Sequence, residues 1–171
     1  MSQPSRRAAL AAALLAPAAA SLASPSIGAD DGEAILAVVN AYFRHEGKGD
    51  MLAQADLMTD DRSMLFVGGR RTGANRPRMA DSHAAEQRFA QEFPGVGYTF
   101  ELRDLALQSY NGDCAMVLLQ TAPTRVIPAG MAADKVARLG PGKKPYLVAL
   151  MLVKRAGVWK IAFTGFVPAT A

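Results

Sequence analysis

Tyr146-Leu-Val-Ala-Leu-Met-Leu-Val-Lys-Arg-Ala-Gly-Val-Trp-Lys-Ile-Ala-Phe-Thr-Gly-Phe166 is the stretch whose reading decides the fold. Leu147 to Val153 is an unbroken apolar run. Its two alternating sets, Leu147/Ala149/Met151/Val153 and Val148/Leu150/Leu152, are both hydrophobic, so a strand here needs cover on both faces. The run is too short to cross a bilayer as a helix. Lys154-Arg155-Ala156-Gly157 supplies a polar turn, and Val158 to Phe166 returns as a second strand. The rest of the chain must cover this hairpin.

Upstream the period changes. Tyr98, Phe100 and Leu102 alternate with Thr99, Glu101 and Arg103, and then the apolar set slips by one residue to Leu105 and Leu107. Such a slip predicts a β-bulge near Arg103 and Asp104 and a strongly bent strand. Asn111-Gly112 is a strong hairpin signal, with Ala115 to Thr121 as the returning strand. Residues 123 to 145 form a long excursion rich in Pro, Gly and cations, with a short helix expected over 131 to 138, and a connection of that length is functional or mobile.

Before the sheet come helices. Ile35, Val38, Val39, Tyr42 and Phe43 recur at helical spacing, with Asp30 or Asp31 as candidate cap and an end near Gly47. Asp50 caps a shorter helix over 51 to 58. Ser63 to Val67 reads as a short strand, residues 68 to 78 as a Gly- and Arg-rich loop, and Asp81 or Ser82 as the cap of a third helix ending near Phe93. Asp60-Asp61 reads as a turn with Arg62 as its local partner. Helix, helix, strand, helix and then four antiparallel strands is an α+β order, in which a curved antiparallel sheet is closed by three N-terminal helices into a cone.

Residues 1 to 23 have the features of an export signal: Arg6-Arg7, an apolar segment from Ala8 to Ala20, and Ser21-Leu22-Ala23 as a small-x-small cleavage signal. The arginine pair suits a twin-arginine leader, and Sec export fits as well. Residues 24 to 30 are then a linker, residues 31 to 168 one domain, and the expected location is periplasmic or secreted. The formal charge of the 171-residue chain is +4, and the leader holds two of the arginines and no acid. What remains is nearly balanced, which does not point to nucleic acid as a partner. Cys114 is the only cysteine, so no internal disulfide can form, and a buried strand position suits it.

Ile35-x-x-Val38-Val39-x-x-Tyr42-Phe43 followed by Gly49-Asp50, Thr59-Asp60-Asp61 before the first strand, and Gly157-Val158-Trp159-Lys160-Ile161 at the end resemble the nuclear transport factor 2-like superfamily. That group contains SnoaL-like polyketide cyclases, ketosteroid isomerases and lumazine-binding-like proteins. The resemblance covers about residues 31 to 168 and implies the cone fold with a cavity, but no single activity. Tyr42 matches the place of an oxyanion-hole tyrosine in the isomerases. The isomerases' acidic residues do not carry over, since Leu65-Phe66-Val67 and Ala149-Leu150-Met151-Leu152 stand where they would fall. Isomerase or cyclase chemistry of that type therefore lacks its carboxylates.

Candidate site residues follow. Tyr42, Phe66, Phe100, Met116, Met151 and Phe163 are candidate lining of an apolar pocket, or else plain core. Arg70, Arg71, Arg76 and Arg78 are a candidate anion-binding loop, or else a solvated one. Trp159 is expected to pack against a helix. Two histidines, His45 and His83, make no metal site, and no cofactor motif is present. Three functions remain open: an exported protein binding a small apolar or aromatic molecule and pairing as a homodimer through its open sheet face; an enzyme on a cyclic substrate using Tyr42 with Asp61 or His83 as base; and an interaction module with a filled cone. None requires a membrane span once the leader is removed.

Overall fold

In the computed structural model, residues 28 to 169 are described, so the leader expected over 1 to 23 lies outside the described residues. The order is α1 (Ala29–Lys48), α2 (Met51–Asp56), β1 (Met58–Phe66), β2 (Gly69–Thr72), α3 (Asn75–Glu92), β3 (Gly97–Tyr110), β4 (Cys114–Val126), α4 (Ala133–Arg138), β5 (Tyr146–Arg155) and β6 (Val158–Pro168). The six strands form one sheet in the order β2-β1-β6-β5-β4-β3. The sheet is curved and unclosed, with the helices on its hollow side, which is the expected α+β architecture. Among the described residues no helix is long and apolar enough to cross a membrane.

Every neighbouring pair is antiparallel except β1 with β6, which run parallel. The sheet is therefore mixed rather than wholly antiparallel. The reason lies in the connections: α1 and α2 deliver β1 to the free edge of the terminal strand, where no tight turn dictates its direction.

The hairpins follow their turn residues. Asn111 and Gly112 both take positive φ between β3 and β4. Ala156 and Gly157 do the same in the two-residue turn joining Arg155 to Val158, the pattern that matches strand twist. The register of β3 on β4 slips between Arg103 and Ala106, and Asp104 takes a φ of 50°, so the bulge sits where the alternation changed phase.

Two elements begin earlier than the sequence pattern implies. The strand placed at 63 to 67 starts at Met58 and continues through the Val67-Gly68 turn into β2, so four residues of the presumed Arg-rich loop, Gly69 to Thr72, are a strand. The third helix starts at Asn75, with Ala74 in the left-handed region, rather than at Asp81 or Ser82. Pro77 lies in its first turn, where the missing N–H removes no intrahelical bond.

The core forms where α1 crosses the sheet. Ile35, Val39, Tyr42 and Phe43 of α1 share one buried cluster with Val117, Leu150, Leu152 and Ile161. Within β5 only Val148, Leu150 and Leu152 are buried, whereas Leu147, Ala149, Met151 and Val153 face outward and stay partly or wholly exposed. One of the two apolar faces of this strand is thus uncovered in the single chain.

Asp30 and Asp31 lie inside the first turn of α1, whose N-terminal flank is Gly28 without a side-chain cap. Asp31 has another task. Its carboxylate accepts a hydrogen bond from Lys154 Nζ at 2.7 Å and one from Trp159 Nε1 at 3.0 Å, tying α1 to the β5-β6 hairpin and explaining why Trp159 packs against a helix. Lys154, and then Trp159, hold the Asp31 carboxyl below its ordinary pKa. A carboxyl depressed in the folded state stabilises fully above its unfolded value of about 3.9 and loses that contribution as pH falls through the lower folded value. Asp31→Asn is therefore expected to be less stable than the wild type at pH 7, with the gap in denaturation midpoint closing in strong acid. A gap of equal size at both extremes would contradict this role.

Candidate functional site

The hollow between α1 and the sheet encloses a cavity of about 450 Å³. Its inner wall comes from α1. Tyr42, Phe43 and Glu46 sit one helical turn apart or adjacent, so the face that buries Ile35 and Val39 continues into the cavity. Phe66, Phe100, Thr121, Tyr146, Val148 and Phe166 supply the sheet side. The rings pack edge to face or tilted: Tyr42 on Phe43 at 5.0 Å, Phe43 on Phe100 at 5.5 Å, and Tyr146 on Phe166 at 6.2 Å between centroids.

The rim is polar and comes from the long connection between β4 and β5. Arg125 of β4 donates from Nε to the Tyr98 hydroxyl at 3.0 Å and from its two terminal nitrogens to the carbonyls of Gly140 at 3.0 Å and Pro141 at 2.8 Å. This fork holds the end of the connection against β3. Lys143 and Lys144 then line the cavity, and Lys143 pairs with the Glu46 carboxylate while lying 5.4 Å from the Tyr98 ring centroid. Glu46 also accepts from Gln54 Nε2 at 3.0 Å. The connection is a strap across the mouth of the cone.

Of the residues singled out in the sequence, Tyr42, Phe66 and Phe100 line the cavity. Met116, Met151 and Phe163 do not, and their place must be corrected to the outer face. Met116 pairs with Met151, and Met151 with Phe163, across the convex side of the sheet. Strand alternation puts the inward positions one residue away, at Val117, Leu150 and Thr164. The four arginines do not converge either. Arg70 and Arg71 lie on the exposed edge strand β2, Arg76 pairs with Asp56, and Arg78 donates to the Gly73 carbonyl. Asp61 is exposed and pairs with Arg155 at 3.1 Å, and neither Asp61 nor His83 lines the cavity.

Two functional groups escaped the sequence reading. Glu46 could have been found, because it stands four residues after Tyr42 and so shares its helix face. Arg62 had no such signal, because the strand period is broken just where it stands. It does not pair with Asp60 or Asp61. An irregularity in β1 between Met58 and Ser63 turns Arg62 inward, where it is 1% exposed. Its Nη2 has only the Met79 sulfur, at 4.0 Å, and Nε and Nη1 have no partner. A buried charged donor left unmade costs at least about 1–3 kcal/mol. Burial lowers the pKa of Arg62, opposed by the neighbouring Tyr42, yet a guanidinium stays charged. Burial also pushes the Tyr42 phenol above its usual pKa, helped by the Glu46 charge, so Tyr42 remains a neutral donor.

No family model matches the sequence, and no curated relative is found. Solved structures with the same architecture are found. A nuclear transport factor 2-like protein with a cystatin-like fold from Novosphingobium aromaticivorans superposes with a TM-score of 0.61 at 15% identity, over 83% of this chain and 84% of that one. A nuclear transport factor 2-like protein from Cytophaga hutchinsonii gives 0.60 at 11% identity, over 84% of this chain and 100% of that one. An uncharacterised protein with a cystatin-like fold from Caulobacter vibrioides gives 0.58 at 19% identity, over 82% and 91%. The chain has the nuclear transport factor 2-like fold.

Proposed function

We propose that this protein is an exported binding domain that takes one small, largely apolar or aromatic molecule into its cone and works as a homodimer. The observation that carries the binding is the cavity itself. About 450 Å³ walled by six aromatic rings of the sheet and helix is within the range of small-molecule sites and well above what packing defects leave in a core. A filled cone, as an interaction module would have, does not describe it. Asp61 and His83, the bases that a Tyr42-dependent enzyme would draw on, lie away from it. Export rests on the leader in residues 1 to 23.

The pairing rests on the outer face. Leu65, Leu118, Leu147 and Val167 are each about half exposed there, and Met116, Met151 and Phe163 extend the same patch. Contiguous apolar surface of this kind on a sheet marks an interface. Sedimentation at micromolar concentration is expected to give a dimer, which Leu118→Arg converts to a folded monomer; a monomeric wild type would overturn the pairing. For the ligand, native mass spectrometry of protein isolated from the compartment to which it is exported is expected to show a retained small molecule. Bare protein that also fails to take up aromatic probes would overturn the binding.

A further inference from the structure

Beside the aromatic cavity lies a second pocket of about 310 Å³, and the two share Tyr42, Glu46 and Phe166 as a common wall. Arg62 lines this second pocket. No carboxylate meets it. Glu46 is engaged by Lys143 and Gln54, and Glu86 lines the same pocket without forming an ion pair with the guanidinium. The remaining walls are Gln54, Ser82 and three methionines, Met51, Met64 and Met79, whose flexible thioethers repack readily around an entering group. So the molecule buries a permanent positive charge beside an aromatic cavity, spends one of its nitrogens on a weak sulfur acceptor, and leaves Nε and Nη1 without a hydrogen-bond acceptor in range, with only the neutral Tyr42 hydroxyl nearby to support the charge. Buried charges are otherwise paired or bound to a counter-ion.

We infer that the ligand is an aromatic carboxylic acid: its ring occupies the cone and its carboxylate reaches past Tyr42 to be held by Arg62. This rests on the cavity reading and adds the charged group. A planar carboxylate matches the guanidinium fork with two parallel hydrogen bonds, and displacing the Met79 sulfur from Nη2 sacrifices little. The Tyr42 hydroxyl, on the shared wall, is a further donor to the same oxygens. Lys144 at the rim adds positive charge at the entrance and favours entry of an anion, while Lys143 offsets the charge of Glu46.

The test compares 2-naphthoic acid with its neutral isostere 2-naphthamide by calorimetric titration at neutral pH, on the wild type, Arg62→Met and Arg62→Lys. The wild type is expected to bind the acid about tenfold or more tightly than the amide, the gain typical of a charge-assisted hydrogen bond made in a buried site. Arg62→Met is expected to lose that preference, the affinity for the acid falling by more than that for the amide, with retained amide binding reporting an intact cone, and Arg62→Lys to keep part of it. If Arg62→Met does not fold, the acid-to-amide ratio in Arg62→Lys decides, since lysine keeps the charge and loses the fork. Equal affinity of the wild type for acid and amide, or an unchanged preference in either folded variant, overturns the role of Arg62 and leaves the aromatic cavity standing. Binding of neither probe overturns both.

Discussion

Replacing Gly47 by alanine is expected to destabilise the protein, against the ordinary preference of helices for alanine. Gly47 is buried in the last turn of α1, where the helix lies against the start of β3. A Cβ built there would stand 2.1 Å from the backbone carbonyl oxygen of Tyr98, and one built on Gly97 would stand 2.9 Å from the carbonyl oxygen of Gly47. The opposing atoms are backbone, so no side chain can swing aside. Relief requires α1 to lift off the sheet or β3 to shift. Alanine gains about 1 kcal/mol in helix propensity, whereas overpacking costs about 1–3 kcal/mol and more where the surroundings are rigid. A net loss of about 2 kcal/mol lowers Tm by roughly 4–8 °C in a domain of this size. A Tm at or above that of the wild type would mean that α1 does not approach the sheet this closely. The contact also sets the width of the cone, because Tyr98 and Phe100 of β3 and Tyr42 and Glu46 of α1 are placed by it.

The second large effect is expected at Leu150. It is fully buried at the middle of β5, between Val117 of β4 and Thr164 of β6 in the ladder. It belongs to the cluster that α1 closes with Ile35 and Val39. Leu150→Ala should cost about 2–5 kcal/mol, the transfer term plus the void left behind. Met151→Ala, one residue on, removes a side chain of similar size from the outer face, and its effect should fall on association rather than on unfolding of the single chain. Chemical denaturation and sedimentation of the two variants separate these outcomes. Similar losses of stability for both would mean that the two faces of β5 are not distinguished by burial as described.

That contrast also shows where the sequence stops being legible. The run from Leu147 to Val153 identifies a strand with two apolar faces, and the slipped alternation at Arg103 and Asp104 locates the bend. Neither says which face turns inward. The parity of β5 is set by its partners in the ladder, and both candidate sets are hydrophobic, so Met116, Met151 and Phe163 were as plausible for the cavity as their neighbours. Helix α1 was easier, because polar residues occupy its other side and fix the inward stripe. Tyr42 followed from that stripe, and Glu46 was within reach of the same spacing. Arg62 is the harder case. Beside two aspartates an arginine reads as a surface partner, and only the irregularity in β1, which has no marker in residue type, turns it into the core. The extent of α3 was obscured for a related reason: its first turn contains Pro77 and three polar residues, and tertiary contacts at Asn75 and Met79 supply what the pattern lacks. The parallel pairing of β1 with β6 joins residues at least 100 positions apart, as in Ser63 with Phe163, beyond the range of any local signal.

The central claim is that the cone between α1 and the sheet accepts one molecule per chain. Titration with the neutral fluorophore N-phenyl-1-naphthylamine, for the wild type and for Val148→Trp, measures it most directly, because Val148 projects from β5 into the cavity and an indole there occupies the ligand's space. The expected result is saturable binding at one probe per chain in the wild type and a loss of at least about tenfold in affinity in a folded Val148→Trp, comparable to what a blocked pocket forfeits. Absence of saturable binding in the wild type, or equal binding by both proteins, would contradict it.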